Sequence, residues 1–201
     1  MSYRGKRALD VVVASALLAV SAPALTLAAL LIRLETHGHP IYRQRRVGRH
    51  GEPFELYKLR TMISGAETMG AGLAINEGDS RITRLGAVLR RTSMDELPNL
   101  VNVLRGEMSI VGPRPTVQVQ VDQYSERQRR RLEVKPGITG WAQINGRAAL
   151  PWDERIELDI WYVDNRTLRL DAAILLKTVK LLVSGEGLYK GDRGGWKQQS
   201  S

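Results

Sequence analysis

The sequence predicts an α+β fold: a small, mostly helical domain with a short β-hairpin, anchored by an N-terminal re-entrant membrane helix and interfacial amphipathic helices. Three observations predict it. Residues 11–32 run without a charged side chain, long enough to cross a bilayer as a helix. "PIYRQRRVGRHGEPFELYKLRTM" alternates on both sides of the turn "GRHG", which is the mark of a hairpin. Beyond residue 80, apolar residues recur at helical spacing.

The anchor occupies residues 1–36, and residues 37–201 form one folded unit. Arg4, Lys6 and Arg7 precede the apolar run, and Arg33, Arg43, Arg45, Arg46 and Arg49 follow it. Positive charge marks the cytoplasmic side, so both ends belong on one side of the membrane. Pro23, near the middle, removes a backbone hydrogen bond, and Ser21 can bond back to a carbonyl and help a bend. Together these give a re-entrant helical hairpin. Two alternatives stand beside it. Ala22-Pro23-Ala24 resembles a signal-peptide cleavage site, but the apolar run continues eight residues past it. A spanning helix followed by a cytoplasmic domain also fits the length.

Thirty Lys+Arg against 21 Asp+Glu give a net charge of +9. Such a chain faces an anionic partner: nucleic acid, anionic lipid or a phosphorylated substrate. With no cysteine, a disulfide scaffold and a Cys-based zinc site are excluded. His37, His39 and His50 lack carboxylates at ligand spacing, so zinc is not expected.

In the hairpin, Lys58 and Arg60 alternate with Tyr57 and Leu59 and so share one strand face, where they can hold a phosphate; the other arginines read as a lipid-facing basic patch. Residues 63–80 are rich in glycine and read as a loop. "RITRLGAVLRR" is a basic amphipathic helix, fit to cover the core or to lie on anionic lipid.

"TSMDELPNL" then sets Asp95 beside Glu96, just after Arg90 and Arg91. Neighbouring helix positions do not face each other, so the pair is no ordinary surface ion pair. Ser93 and Glu96 fit a capping box, and Pro98 is tolerated near a helix start. A helix start also suits a bound phosphate. Leu97, Leu100, Val101 and Leu104 then form a short helix that Gly106 ends. "MSIVGPRP" is a strand and a rigid turn in which Arg114 stands between two prolines; by itself it reads first as an ordinary Pro-rich turn with an exposed arginine, and it also suits a guanidinium preset for an anion. Next come a basic helix from Tyr124, a Gly/Pro turn region with Trp141 and Arg147, and a helix with Ile156 and Ile160 inward. Asp159 in that helix reads first as a structural acid. An amphipathic helix with Lys177 and Lys180 and a Gly-rich tail from Ser184 complete the chain.

"KRALD", "YRQRRVGRHGEPFELYKLRTM", "RITRLGAVLRRTSMDELPNLVNVLRGEMSIVGPRP", "KPGITGWAQINGR" and "ERIELDIWYVDN" occur in that order. Together they resemble the bacterial sugar transferases, the monotopic polyprenyl-phosphate phosphoglycosyl transferases, in their minimal single-domain form. The resemblance covers roughly residues 4–185. It implies an enzyme on the cytoplasmic face of the bacterial inner membrane, with residues 37–201 as its catalytic domain. It would move a sugar-1-phosphate from a UDP-sugar to undecaprenyl phosphate and release UMP, the first membrane step of a glycan or exopolysaccharide. Asp95 would be the nucleophile, forming an aspartyl phosphosugar. Glu96 would assist as a base or by positioning Mg²⁺, the implied cofactor, which Asp95 would approach. Lys58, Arg60, Arg90, Arg114, Arg147 and Asp159 would contact substrate, and Ser21 and Pro23 would make the membrane bend. Anionic lipid is a further expected partner, nucleic acid is not, and a homodimer is left open. Two departures from the family pattern stand out: Ala22, not serine, precedes Pro23, and "THGHP" is one residue longer than the usual connection.

Readings from other classes remain. A membrane-anchored basic scaffold or nucleic-acid-binding module would use the same surface but would need neither Asp95-Glu96 nor "GPRP". A transferase moving the sugar alone would release UDP. No motif specifies the sugar or the pathway.

Overall fold

The computed structural model describes residues 5–66, 69, 79–146 and 150–184. Arg147, most of the loop read at 63–80 and the tail beyond Ser184 lie outside the described residues.

The apolar run forms α1 (Lys6–Glu35), one 30-residue helix with Pro23 inside it. The two arms that the sequence leads one to expect belong to one helix that runs on through Pro23. The missing N–H of Pro23 costs one hydrogen bond, and hydroxyls bond to carbonyls on either side: Ser21 Oγ to Leu18 O at 3.4 Å and Thr26 Oγ1 to Ala22 O at 2.9 Å. Leu17, Val20, Leu27 and Leu30 along its middle are exposed. At each end one face is buried. Ala14 sits in the main core with Val103 and Ile174, and Ala28 and Ile32 pack with Leu59 and Leu89. Both ends of the apolar helix are thus held by one folded body.

Polar contacts fix the same two ends. Lys6 pairs with Asp171 and, at 3.2 Å, with Asp10. Asp10 accepts from Ser109 Oγ at 3.0 Å and the Ile110 amide at 3.1 Å. At the other end Arg60 donates to the carbonyls of Thr36 at 2.9 Å and His37 at 2.8 Å, and to Thr36 Oγ1 at 2.8 Å.

The predicted hairpin is β1 (Ile41–Val47) and β2 (Pro53–Leu59), antiparallel, with Tyr42 opposite Lys58 and Arg46 opposite Phe54. Cross-strand partners share a face, so Arg46, Gln44 and Lys58 all project from one side. Thr83 caps α2 (Arg84–Arg91) by accepting from the Gly86 amide. After it come α3 (Asn99–Arg105), which Gly106 ends at φ 85°, and β3 (Ser109–Val111). Three short helical segments follow: α4 (Gln118–Val121), α5 (Glu126–Arg129) and a 3₁₀ turn at Arg130–Glu133. The turn region read at residues 135–147 contains a strand the sequence does not announce, β4 (Gly137–Thr139), parallel to β3. The backbones meet so closely that a Cβ on Gly137 would stand 2.1 Å from the Gly112 nitrogen, which requires glycine there. Then α6 (Trp141–Ile144), α7 (Trp152–Asn165) and α8 (Leu168–Ser184) close the fold. As expected, Ile156 and Ile160 of α7 point inward. On α8, Ile174 is buried while Leu176 and Val179 are exposed, an apolar outer face suited to a membrane interface.

Candidate active site

Four segments converge on the acidic pair. Ser93 takes the left-handed conformation at φ 55° and turns the chain out of α2. Met94–Glu96 then form a single 3₁₀ turn, and Pro98 opens α3. Strand β2 brings Lys58, and the turn after β3 brings Arg114.

The expected capping box is absent. Ser93 makes no side-chain cap, because its left-handed backbone departs from the extended geometry that caps use. The Glu96 carboxylate turns instead to the cations. Its Oε1 accepts from Lys58 Nζ at 2.7 Å and from Arg114 Nη2 at 2.7 Å. Asp95 is differently placed. It is buried, at 9 % exposure, and accepts no hydrogen bond among the described residues. Arg90 is anchored by its Nε bond to Thr61 Oγ1 at 2.7 Å and adds its charge to the surroundings of Asp95.

The two carboxyls are therefore driven apart. Burial pushes Asp95 up, the charge of Glu96 adds to this, and Lys58, Arg90 and Arg114 oppose it; the result is about 6. Burial also works against ionised Glu96, but Arg114 and Lys58 outweigh it through charge and hydrogen bonds and hold Glu96 well below the usual carboxylate range. Carboxyls with separated affinities in one cleft mark an acid/base or nucleophile site. Glu96 is the permanently ionised member, already committed to its cations. Asp95 is the member that accepts no hydrogen bond among the described residues.

Not all predicted residues meet here. Lys58, Arg90 and Arg114 surround the dyad. Arg60 does not share the strand face of Lys58 at the cleft; it sits just past β2 and holds the end of α1. Asp159 lies beneath the cleft, 2 % exposed, paired with Arg131 at 2.6 Å. Arg131 Nη2 in turn donates to the Arg114 carbonyl at 3.0 Å. Asp159 thus reaches the arginine turn through Arg131. Burial raises its carboxyl to about 6 against the pull of Arg131.

Two polar residues of the cleft are not among the predicted site. Arg46 lines it beside Lys58 and Arg114 and bonds Gln44 Oε1 and the Pro115 carbonyl. Burial and the neighbouring Arg114 lower it to about 10. Its signal was in the hairpin: once the strands pair, Arg46 falls on the face of Lys58. Asn99 is the second, on the floor of the cleft.

Among the described residues, no group of three His, Cys, Asp or Glu could hold a metal. Mg²⁺ needs no such group: it keeps several waters and takes one or two carboxylates plus substrate phosphates. Asp95, with uncommitted oxygens, fits that donor set; Glu96 is already taken up by cations.

The family model described as "Bacterial sugar transferase" matches residues 1–185 of the chain. The chain is 44% identical over 185 residues to an uncharacterised sugar transferase, EpsL, of Bacillus subtilis, covering 92% of this chain and 90% of that protein. It is 44% identical over 192 residues to the UDP-glucose:undecaprenyl-phosphate glucose-1-phosphate transferase of Caulobacter vibrioides, covering 92% and 72%. It is 37% identical over 198 residues to the exopolysaccharide production protein ExoY of Rhizobium meliloti, covering 92% and 88%.

Proposed function

The chain belongs to the bacterial sugar transferase family, and on that premise we propose that it moves a sugar-1-phosphate from a UDP-sugar to undecaprenyl phosphate through Asp95. The observation that carries the reading is the division of labour in the dyad: Glu96 is bound by Lys58 and Arg114, while Asp95 is buried, adjacent and uncommitted. The Caulobacter relative is named for a reaction of this class.

In the first step an Asp95 carboxylate oxygen attacks the phosphorus that bears the sugar. The bond from that phosphorus to the bridging oxygen breaks, and UMP leaves with the electron pair. An aspartyl phosphosugar results. In the second step an oxygen of undecaprenyl phosphate attacks the same phosphorus, and the Asp95 carboxylate departs. The product is undecaprenyl diphosphate carrying the sugar. Splitting the transfer lets the soluble and the membrane substrate visit one cleft in turn.

A carboxylate approaching a diphosphate meets repulsion, which fixed cations relieve. Lys58, Arg90, Arg114 and Arg46 supply them, and Glu96 holds two of these in place. Mg²⁺ held by Asp95 and the diphosphate would neutralise further charge on the phosphates.

Membrane attachment follows from α1 and the outer face of α8. A single folded body grips both ends of α1. A helix crossing the bilayer would leave those ends on opposite sides, where one body cannot reach both. This favours entry and exit on one face, and the basic residues at both ends favour the cytoplasmic face of the inner membrane.

The test is UMP release from a panel of UDP-sugars with Mg²⁺ and undecaprenyl phosphate. Release of UMP supports the reading, release of UDP points to transfer of the sugar alone, and release of neither returns the chain to a non-catalytic scaffold.

A further inference from the structure

Asn99 is 3 % exposed and lines the cleft with Lys58, Glu96 and Arg114, yet its Oδ1 is buried and bonds to nothing among the described residues. Buried polar atoms are almost always paired, and an unpaired one costs stability. An amide left open in a cleft of fixed cations is a recognition group awaiting its partner.

Chemistry narrows the partner. An amide oxygen accepts a hydrogen bond and so needs a donor. The phosphates of a nucleotide sugar carry only acceptors at neutral pH, and the cations already serve them. Position narrows it further. Asn99 lines the cleft with Glu96, the immediate neighbour of Asp95. What lies next to the phosphorus attacked by Asp95 is the sugar ring; the uracil is separated from it by a second phosphate and a ribose.

Resting on the proposed reaction, we infer that Asn99 is a specificity-determining residue that accepts a hydrogen bond from a hydroxyl or N–H of the transferred sugar. The hydrogen-bonding group of the sugar then completes an amide that the free protein leaves open. Sugars that do not present a donor at that position are discriminated against, because they leave the amide unpaired in the complex as well.

The experiment compares UDP with UDP-glucose, UDP-galactose, UDP-N-acetylglucosamine and UDP-N-acetylgalactosamine. Binding to the full chain in detergent is measured in an Asp95→Asn background, which prevents turnover, with and without Asn99→Ala or Asn99→Leu. The expected result is that one UDP-sugar binds more tightly than UDP. Either Asn99 substitution weakens that sugar about tenfold, the worth of one neutral hydrogen bond, and leaves UDP within twofold. Equal losses for UDP and the UDP-sugar, no loss for either, or no preference for any sugar over UDP overturns the inference. Leucine matches asparagine in shape, so Asn99→Leu should keep or raise the melting temperature; a fall of more than about 4 °C gives the amide a structural role and also overturns it. UMP release by the otherwise unchanged chain separates the two readings. Sugar-selective binding that depends on Asn99 without UMP release sinks the reaction and keeps the contact; UMP release with no effect at Asn99 does the reverse.

Discussion

Lys58 Nζ lies 2.7 Å from Glu96 Oε1, an ion pair that joins the hairpin to the turn carrying the dyad. Arg114 reaches the same oxygen at 2.7 Å. Glu96 is therefore the fixed centre around which the cations are set, and the neighbouring Asp95 accepts no hydrogen bond among the described residues while lying inside their field.

The first prediction concerns the cost of keeping Asp95 ready. Its carboxyl is raised to about 6, chiefly by burial. In the unfolded chain it titrates near 3.8, so between the two values the folded state holds more protons. Stability from this group is present at low pH and is lost as pH rises through that window. Asp95→Asn should abolish activity and, above pH 6, stabilise the fold by about 1–3 kcal/mol. Paired melting curves at pH 5 and pH 8 check this: the gain should appear at pH 8 and shrink at pH 5.

The second concerns the pH profile. Attack requires ionised Asp95, so kcat/KM should rise as pH passes through about 6. The charge of Glu96 raises Asp95 and that of Arg114 lowers it. The acidic limb should therefore move to lower pH in Glu96→Gln and to higher pH in Arg114→Gln. Both variants should also lose about 100-fold in kcat/KM at the optimum, from disorder or loss of the cations. Shifts in the same direction would contradict the electrostatic account.

A third prediction separates Arg60 from the chemistry. It binds the carbonyls of Thr36 and His37 at the end of α1 and does not line the cleft with Lys58. Arg60→Ala should destabilise the protein by about 1–3 kcal/mol, since it frees partly buried carbonyls. The kcat/KM of the folded fraction should stay within about threefold. A large rise in KM with unchanged melting would place Arg60 on the substrate after all.

A fourth addresses the anchor. The chain has no cysteine, so single-cysteine variants carry no background. Ala8→Cys and Leu34→Cys lie near the two ends of α1 and Val20→Cys in its exposed middle. A membrane-impermeant thiol reagent should label the first two from the same side and leave the third unlabelled. Labelling of the two ends from opposite sides would establish a spanning helix.

The hairpin and the longer helices were legible because each rests on local periodicity: alternation in β1 and β2, and Ile156 and Ile160 at one helical spacing in α7. Lys58 and Arg114 were legible at the cleft for a similar reason, since a strand face and a pair of prolines constrain where they point. What stayed hidden depends on contacts distant in sequence. Arg131 meets Asp159 across 28 residues, and nothing local to either announces the pair. Strand β4 is three residues long and exists because β3 lies against it. Ser93 had the right spacing for a cap, yet its left-handed backbone is set by the turn out of α2. At Pro23 the helix runs on through the proline, because a helix can bend and continue past one missing bond.

The most direct test of the central claim is intact-protein mass spectrometry after mixing the chain with Mg²⁺ and its preferred UDP-sugar, with undecaprenyl phosphate withheld. If Asp95 is the nucleophile, the protein gains the mass of one sugar phosphate, an equal amount of UMP appears, the adduct maps to the peptide holding Asp95, and Asp95→Asn gains nothing. An unmodified protein that makes UMP only when the lipid acceptor is added, or an adduct that persists in Asp95→Asn, would contradict it.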